Sequence, residues 1–446
     1  MEDDLVNTAE KFIKYGEKLG ADEIEIFIQS IKSTSLQNIQ GYITTRRGYD
    51  MGVGVRTVIG KSVGFASASS IEENTIIETI KTAISIAKNK PEDPDFQGLP
   101  DPQSGKGSEG FFDENIAELE MEQITQYSHT IEKTVTSNPN ISKFSFALSA
   151  SVEYFAIANS RGILESDKGT FFTSYVDVKG KKDGQETSGL DFIISRRLNS
   201  EELEQLGENA VTRAVKMFGA KKLNQQFTGQ LLLENRLTYD ILTPLEYNIS
   251  ALNHQNKRSA WLNKVNTKVA GKNITIYDNG TLELGYMTMK VDGEGIPMQN
   301  KKIIVNGELK NLIYDSYSAR KEGKESTGNG IRRKYNATPV LSATNLVLKP
   351  GNKEIDELLA EIERGVFATT FNMGAHMTDP IKGFFSLTNI NAFYVEKGEI
   401  KYPLSSVNIS GNFFEAINNV ISIGNDPWTH YKGLFPSILV DNISFV

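Results

Sequence analysis

The stretch AEKFIKYGEKLGADEIEIFIQS, residues 9–30, decides the fold class, because it changes from a helical to a strand pattern within a few residues. Apolar residues at positions 5–19 keep to one face of a helix. Ile24, Ile26 and Ile28 then alternate with charged residues, the pattern of a half-buried strand. The chain is therefore predicted to begin with a helix followed by a strand that buries one face.

The same order of elements extends outward and then recurs. Two further strand patterns flank a turn at 59–62, and a second amphipathic helix follows. Residues 89–110 contain four prolines and four glycines without periodicity, which is typical of a linker. Beyond them come a helix pattern, several strands at about 143–195 and a closing helix. An ancient duplication is one explanation of the repeated order.

These patterns predict an α+β fold. Its N-terminal α/β half is built of helix–antiparallel sheet–helix units, and a mostly β C-terminal domain follows. The segment VNGEL at 305–309 is a hairpin candidate in that domain. The predicted divisions are a first α+β unit at 1–90, a linker at 91–112, a second α+β unit at 113–222 and the C-terminal domain at 223–446.

Composition limits the class of function. The chain has 446 residues, a formal net charge of −8 and 23% charged residues, which argues against electrostatic binding of nucleic acid. It contains no cysteine, so disulfides and thiolate metal sites are excluded. We find no secretory signal and no apolar run long enough for a membrane span, and we expect a cytoplasmic protein.

The segment LTPLEYNISALNHQN, residues 242–256, is the place to look for hydrolytic chemistry. Thr243 as N-cap, Pro244 at the first helical position and Glu246 three residues after the cap predict a helix that starts here with a capping box. A metal-binding helix carries its ligands three or four residues apart. Because Glu246 and His254 are eight residues apart, this helix is not expected to hold a metal.

Other motifs carry little chemistry. Gly52 and Gly54 lie within a strand pattern, so we expect close packing of another backbone there rather than a nucleotide-binding loop. The four histidines are far apart in sequence, and no imidazole has a second one within a helical turn. They are His129, His254, His376 and His430.

Two glycine-containing loops are the candidate peptide-binding segments. Each combines small residues, which let a backbone approach a ligand closely, with carboxylate or amide groups. An acidic turn between strands and a loop without function are the alternatives. The candidate residues are Asp292, Gly293, Glu294, Gly295, Gly328, Asn329 and Gly330.

The whole chain resembles the TldD/PmbA family of peptide-processing metalloproteases. The resemblance rests on AEKFIKYGEKLGADEIEIFIQ, GVGVRTVIGKSVGFASAS, VDGEGIPMQNKKIIVNGELKNLIYDSYSA, STGNG and ISGNFFEAINNVISIGND, in that order. It implies an α/β N-terminal half, a largely β C-terminal domain and hydrolysis of unfolded or short peptides by a metal-activated water. TldD-type members carry a His-Glu-x-x-x-His motif and a distant cysteine.

This chain lacks that motif in the helix after LLLEN, and it lacks cysteine throughout. It therefore resembles the PmbA (TldE) type, with no metal of its own and zinc expected in a TldD-type partner. An autonomous homodimeric metallopeptidase with a site built from scattered residues is one alternative. A non-enzymatic regulator resembling a gyrase modulator is another. The sequence does not identify the natural peptide or the partner, and we expect a homodimer when the partner is missing.

Overall fold

One six-stranded antiparallel sheet runs through the whole N-terminal half of the chain. The computed structural model describes residues 2–108 and 110–446. The strand order of this sheet is β3-β2-β1-β4-β5-β6. Its strands are β1 Glu23–Ile39, β2 Tyr42–Ile59, β3 Ser62–Ala68, β4 Ile141–Asn159, β5 Leu164–Lys182 and β6 Gln185–Ser195.

Helices cover one face of this sheet. Ile24, Ile26 and Ile28 of β1 are fully buried beneath the first two helices, as their alternation predicts. The opposite face of β1 carries Glu25 and Phe27, which contact the C-terminal domain. The helices of this half are α1 Glu2–Lys18, α2 Glu73–Asn89, α3 Glu114–Ala117, α4 Met121–Thr136 and α5 Ser200–Lys216.

Pairing between β1 and β4 joins the two helix–sheet–helix units into one sheet. The sequence patterns did not predict this pairing, because they identify strands and not their partners. Residues 90–108 and 110–113 between the units contain neither helix nor strand. The domain boundaries given above stay a prediction.

The C-terminal domain is mostly β, so the predicted α+β class is confirmed. Its short helices are α6 Thr238–Ile249, α7 Ala251–Gln255, α8 Ser316–Lys321, α9 Ile355–Ala360 and α10 Phe413–Ala416, with 3₁₀ turns at Asn235–Leu237 and Ala375–Met377.

Its strands form two large sheets and one small one in the described part of the chain. The sheet orders are β10-β9-β8-β13-β22-β21, β11-β12, and β15-β16-β19-β23-β7-β14-β17-β18 with β20 beside β23. The strands are β7 Phe227–Leu233, β8 Ile276–Asn279, β9 Asn300–Val305, β10 Glu308–Leu309, β11 Gly330–Ile331, β12 Val340–Leu341, β13 Leu346–Leu348, β14 Arg364–Ala368, β15 Asn372–Met373, β16 Phe384–Asn389, β17 Ala392–Glu396, β18 Glu399–Leu404, β19 Val407–Asn412, β20 Val420–Ile423, β21 Trp428–His430, β22 Gly433–Phe435 and β23 Ile438–Phe445.

The VNGEL hairpin is confirmed. Strands β9 and β10 are antiparallel, and the turn between them places Asn306 at φ 50° and Gly307 at φ 84°. Two consecutive positive φ angles are what a two-residue hairpin turn of this kind requires, and Asn-Gly supplies them with little strain.

The predicted start of a helix at Thr243 is wrong. Helix α6 begins at Thr238 and contains Pro244 in its interior. Proline lacks the N–H that would bond to the carbonyl of Asp240. The Thr243 hydroxyl lies 3.4 Å from that carbonyl oxygen and donates to it, so a local side chain compensates for the missing bond.

None of the helices in residues 2–108 and 110–446 combines the length and the apolar character needed to cross a lipid bilayer.

Candidate functional site

Helix α6 places Glu246 in contact with two other segments of the C-terminal domain, at Ser342–Ala343 and at Lys432. The Glu246 carboxylate accepts a hydrogen bond from Lys432 Nζ at 2.9 Å. It also accepts from the Ser342 hydroxyl at 2.5 Å and from the Ala343 amide at 3.2 Å. The side chain of Lys432 is 25% exposed and that of Glu246 is 22% exposed. The charge of Glu246 is therefore neutralised inside the protein.

Two histidines close to this pair in sequence, His254 and His430, form hydrogen bonds with backbone groups. His254 Nε2 lies 2.8 Å from the carbonyl oxygen of Asn248, and burial lowers the pKa of this imidazole. His430 Nδ1 accepts from the Lys432 amide at 3.1 Å. Burial, and then the charge of Lys432, lower the pKa of His430 to about 4. Both imidazoles are neutral at pH 7.

A cavity of about 500 Å³ lies beside the Glu246–Lys432 pair. Lys432 and Ser342, which bind Glu246, both line it. The N-terminal sheet contributes aromatic rings and the C-terminal domain contributes methionines to its walls. A concave, largely apolar site with a few polar groups is the usual form of a ligand pocket.

The two predicted peptide-binding loops meet in the structure. The Gly330 amide donates to Asp292 Oδ2 at 2.8 Å, and the Gly293 amide donates to the Gly330 carbonyl at 2.8 Å. Asp292 also accepts from the amides of Glu294 and Ile296. Burial and the neighbouring Glu294 carboxylate raise the pKa of Asp292, whereas these three amides favour its ionised form.

Of the seven candidates, Asp292 and Gly293 line the cavity, and the other five are not among its lining residues. The Asn329 side chain is fully buried and donates to Asp278 Oδ2 at 2.7 Å. Lys301 Nζ donates to Asn329 Oδ1 at 3.0 Å. Peptide binding by these residues stays a prediction.

Glu294 belongs to a buried ion-pair cluster between the two halves of the chain. Arg56 of β2 contacts Glu25 of β1, and Arg56 Nη1 lies 3.6 Å from Glu294 Oε1. Arg332 pairs with Glu25 from the C-terminal side. The Ser316 hydroxyl donates to Glu294 at 2.6 Å. Glu294 therefore contacts Arg56 of the N-terminal half and Ser316 of the C-terminal domain.

Gly54 lies where another backbone approaches β2, as the sequence predicts. A Cβ atom added at Gly54 would lie 2.1 Å from the Tyr335 carbonyl oxygen. At Gly52 it would lie 2.4 Å from the Ala68 carbonyl oxygen. Close packing at these two glycines is confirmed.

Sequence reasoning missed Lys432, Ser342 and the cluster around Arg56. Lys432 is 186 residues from Glu246 along the chain, and no local pattern links them. The one available signal in the sequence was the pair of arginines at 332 and 333, which follows the glycine loop.

Domain models of the PmbA/TldA metallopeptidase family match three parts of the chain. They match domain 1 over residues 24–87, the central domain over 114–218 and the C-terminal domain over 228–446.

Individual proteins are similar over almost the whole chain. An uncharacterized protein of Methanocaldococcus jannaschii is 30% identical over 96% of this chain and 98% of its own length. A metalloprotease PmbA homolog of Buchnera aphidicola is 27% identical over 95% of this chain and 92% of its own. The crystal structure of TldE from Thermococcus kodakarensis has the same fold, with a TM-score of 0.90 and 23% identity over 98% of this chain and 100% of that one.

Proposed function

We propose a function for this chain from the premise that it belongs to the PmbA/TldD family of metallopeptidases. In this proposal it is the PmbA (TldE)-type subunit of a two-subunit metalloprotease that hydrolyses unfolded or short peptides. A TldD-type partner holds the zinc ion, and this chain contributes structure and part of the substrate path. It acts in the cytoplasm and forms a homodimer when the partner is missing.

The ion pair between Glu246 and Lys432 is the observation that carries the proposal. Glu246 lies on α6, the helix in which the TldD type has its His-Glu-x-x-x-His motif. A glutamate that acts as general base needs a free lone pair close to the attacking water. Here Lys432, Ser342 and the Ala343 amide occupy the Glu246 carboxylate.

The residues around Glu246 do not fit a zinc ion. A zinc site needs three or four His, Asp, Glu or Cys ligands about 2 Å from the metal. Beside Glu246 stands the ammonium group of Lys432, which repels a second cation. Within residues 2–108 and 110–446, no group of three or more His, Cys, Asp or Glu side chains is arranged to bind a metal.

The cavity supports a role in peptide binding, because it opens next to the Glu246–Lys432 pair and is bounded by both halves of the chain. Asp292 and Gly293 lie in its wall, and we propose that they contact the bound peptide. Glu294 supports the wall through Arg56 and Ser316.

Co-expression with a family member that carries the His-Glu-x-x-x-His motif, taken from the same genome, tests this function. Turnover of short, unstructured peptides is measured for each chain alone and for the co-purified pair. The proposal predicts turnover by the pair and none by either chain alone. Full activity of this chain by itself would overturn the assignment. The matched control is a pair in which the motif glutamate of the partner is replaced by glutamine, and it should be inactive.

A further inference from the structure

Among the described residues that line the cavity, one cationic side chain has no ion-pair or hydrogen-bond partner in the described part of the chain. Three cationic side chains line the cavity: Arg332, Arg333 and Lys432. Arg332 is buried against Glu25, and Lys432 pairs with Glu246. Arg333 is exposed, and its side chain makes no ion pair or hydrogen bond with any described residue.

Among the described residues, the two acids that line the cavity, Glu153 and Asp292, are already hydrogen-bonded. Glu153 accepts a hydrogen bond from Gln29 Nε2 at 2.6 Å, and burial raises the pKa of its carboxyl. Asp292 accepts three backbone amides. Neither of these acids pairs with Arg333. Its guanidinium group is therefore available to bind an anionic group of a ligand. Guanidinium groups bind carboxylates through two parallel hydrogen bonds.

Most of the other described residues that line the cavity are apolar, with Ser151 and Ser342 as polar exceptions. Five aromatic rings of the described residues line the cavity, and they belong to Phe27, Phe155, Phe171, Tyr286 and Tyr431. Three methionines add flexible, polarizable side chains, and they are Met287, Met289 and Met298. Methionine adapts to apolar groups of different shape. A volume of about 500 Å³ is large enough for a bulky side chain and the backbone atoms attached to it.

We propose that this cavity binds the carboxy-terminal end of a peptide whose last residue is aromatic or long and aliphatic, with the terminal carboxylate on Arg333. The proposal rests on the proposed function for its choice of peptides as the ligand. It names the carboxy-terminal end of a peptide substrate or product as the part that this subunit recognises. The apolar side chain enters between the rings and the methionines, and the rest of the peptide extends out of the cavity.

Calorimetric titration of the isolated chain tests the proposal. The probes are N-acetyl-Ala-Phe with a free carboxylate, the same peptide as its C-terminal amide, and N-acetyl-Ala-Ala with a free carboxylate. The free acid that ends in phenylalanine should bind about tenfold more tightly than each of the other two. Equal binding of acid and amide, or no binding of any probe, would overturn the proposal.

Two variants locate the carboxylate. R333Q keeps a polar side chain but removes the guanidinium group and its charge, and it should weaken binding of the acid to the level of the amide. R258Q is the matched control, because Arg258 is also exposed and does not line the cavity, and it should leave binding unchanged. Equal affinity of R333Q and the natural protein for the acid would remove Arg333 from the site. Tighter binding of dodecanoate than of the peptide would reassign the cavity to lipid carboxylates and overturn the proposal.

The titration uses neither the partner nor a metal. A failure to bind would therefore refute the assigned ligand and leave the two-subunit function to be decided by the co-expression experiment. Conversely, peptide binding by a chain that gives no active pair would refute the proposed function alone.

Discussion

Glu246 and Lys432 form an ion pair at 2.9 Å although 186 residues separate them along the chain. The lysine comes from the turn between β21 and β22, and the glutamate from α6. Lys432 lines the cavity, and its ammonium group neutralises the Glu246 carboxylate. This ion pair gives Glu246 a structural role on α6, in a chain that we propose to be free of metal.

Replacing Lys432 by methionine should lower the free energy of unfolding by about 1–3 kcal/mol, because the Glu246 carboxylate loses its counter-ion in a partly buried position. Denaturant unfolding of K432M, E246Q and the double variant measures this. The double variant should lose less free energy of unfolding than the sum of the two single losses, and this coupling energy should be about 1 kcal/mol. Additive losses would mean that the two side chains do not interact in solution.

Replacing Glu294 by alanine should destabilise the protein by about 3–5 kcal/mol, because the variant leaves Arg56 with less counter-charge in a buried position. Glu308, which pairs with Lys310 at the surface, is the control, and E308A should cost less than about 1 kcal/mol. Thermal and denaturant unfolding compare the two. A small and equal effect of both variants would show that the buried cluster does not hold the halves together.

Replacing Gly54 by alanine should cost about 1–3 kcal/mol, since its methyl group would collide with the Tyr335 carbonyl oxygen. Gly48 in the same strand is the matched control. A Cβ there would meet only Ser33 Oγ, at 2.7 Å, and that hydroxyl can rotate away. Unfolding of G54A and G48A should therefore differ clearly, and equal stability of the two would contradict the close approach.

Asp240 should make stability depend on pH. Burial raises its pKa from 3.8 to about 7, against a hydrogen bond from Asn372 that lowers it. Between these two values the unfolded chain loses the proton and the folded chain keeps it, so stability falls as pH rises and then levels off above pH 7. D240N removes this dependence.

The measurement is the thermal midpoint of D240N and of the natural protein at pH 5 and pH 8. D240N should gain stability relative to the natural protein between these two values. A difference that is independent of pH would show that Asp240 has an ordinary pKa in the folded chain.

Much of the fold could be predicted from local patterns. Alternation of Ile24, Ile26 and Ile28 predicts β1, and the Asn306–Gly307 turn predicts the β9–β10 hairpin, because each depends on neighbours in sequence. The start of α6 was predicted wrongly. Proline usually occurs in the first turn of a helix, whereas Pro244 lies in the interior of α6. The Thr243 hydroxyl compensates for the missing proline N–H, and no sequence pattern indicates this contact.

The candidate site was predicted only in part. The loops at 292–295 and 328–330 were identified, and their contact through Asp292 and Gly330 was not. Asn329 was predicted to contact a peptide, whereas its side chain is fully buried and bonded to Asp278 and Lys301. Such placements depend on partners distant in sequence, which composition and spacing do not specify.

Elemental analysis tests the central claim most directly. The chain is purified alone without chelator, and separately as the co-expressed pair, and zinc is measured per molecule by mass spectrometry. The account predicts no stoichiometric zinc in the isolated chain and stoichiometric zinc in the active pair. Tightly bound zinc in the isolated chain, retained during dialysis and accompanied by peptide hydrolysis, would contradict it.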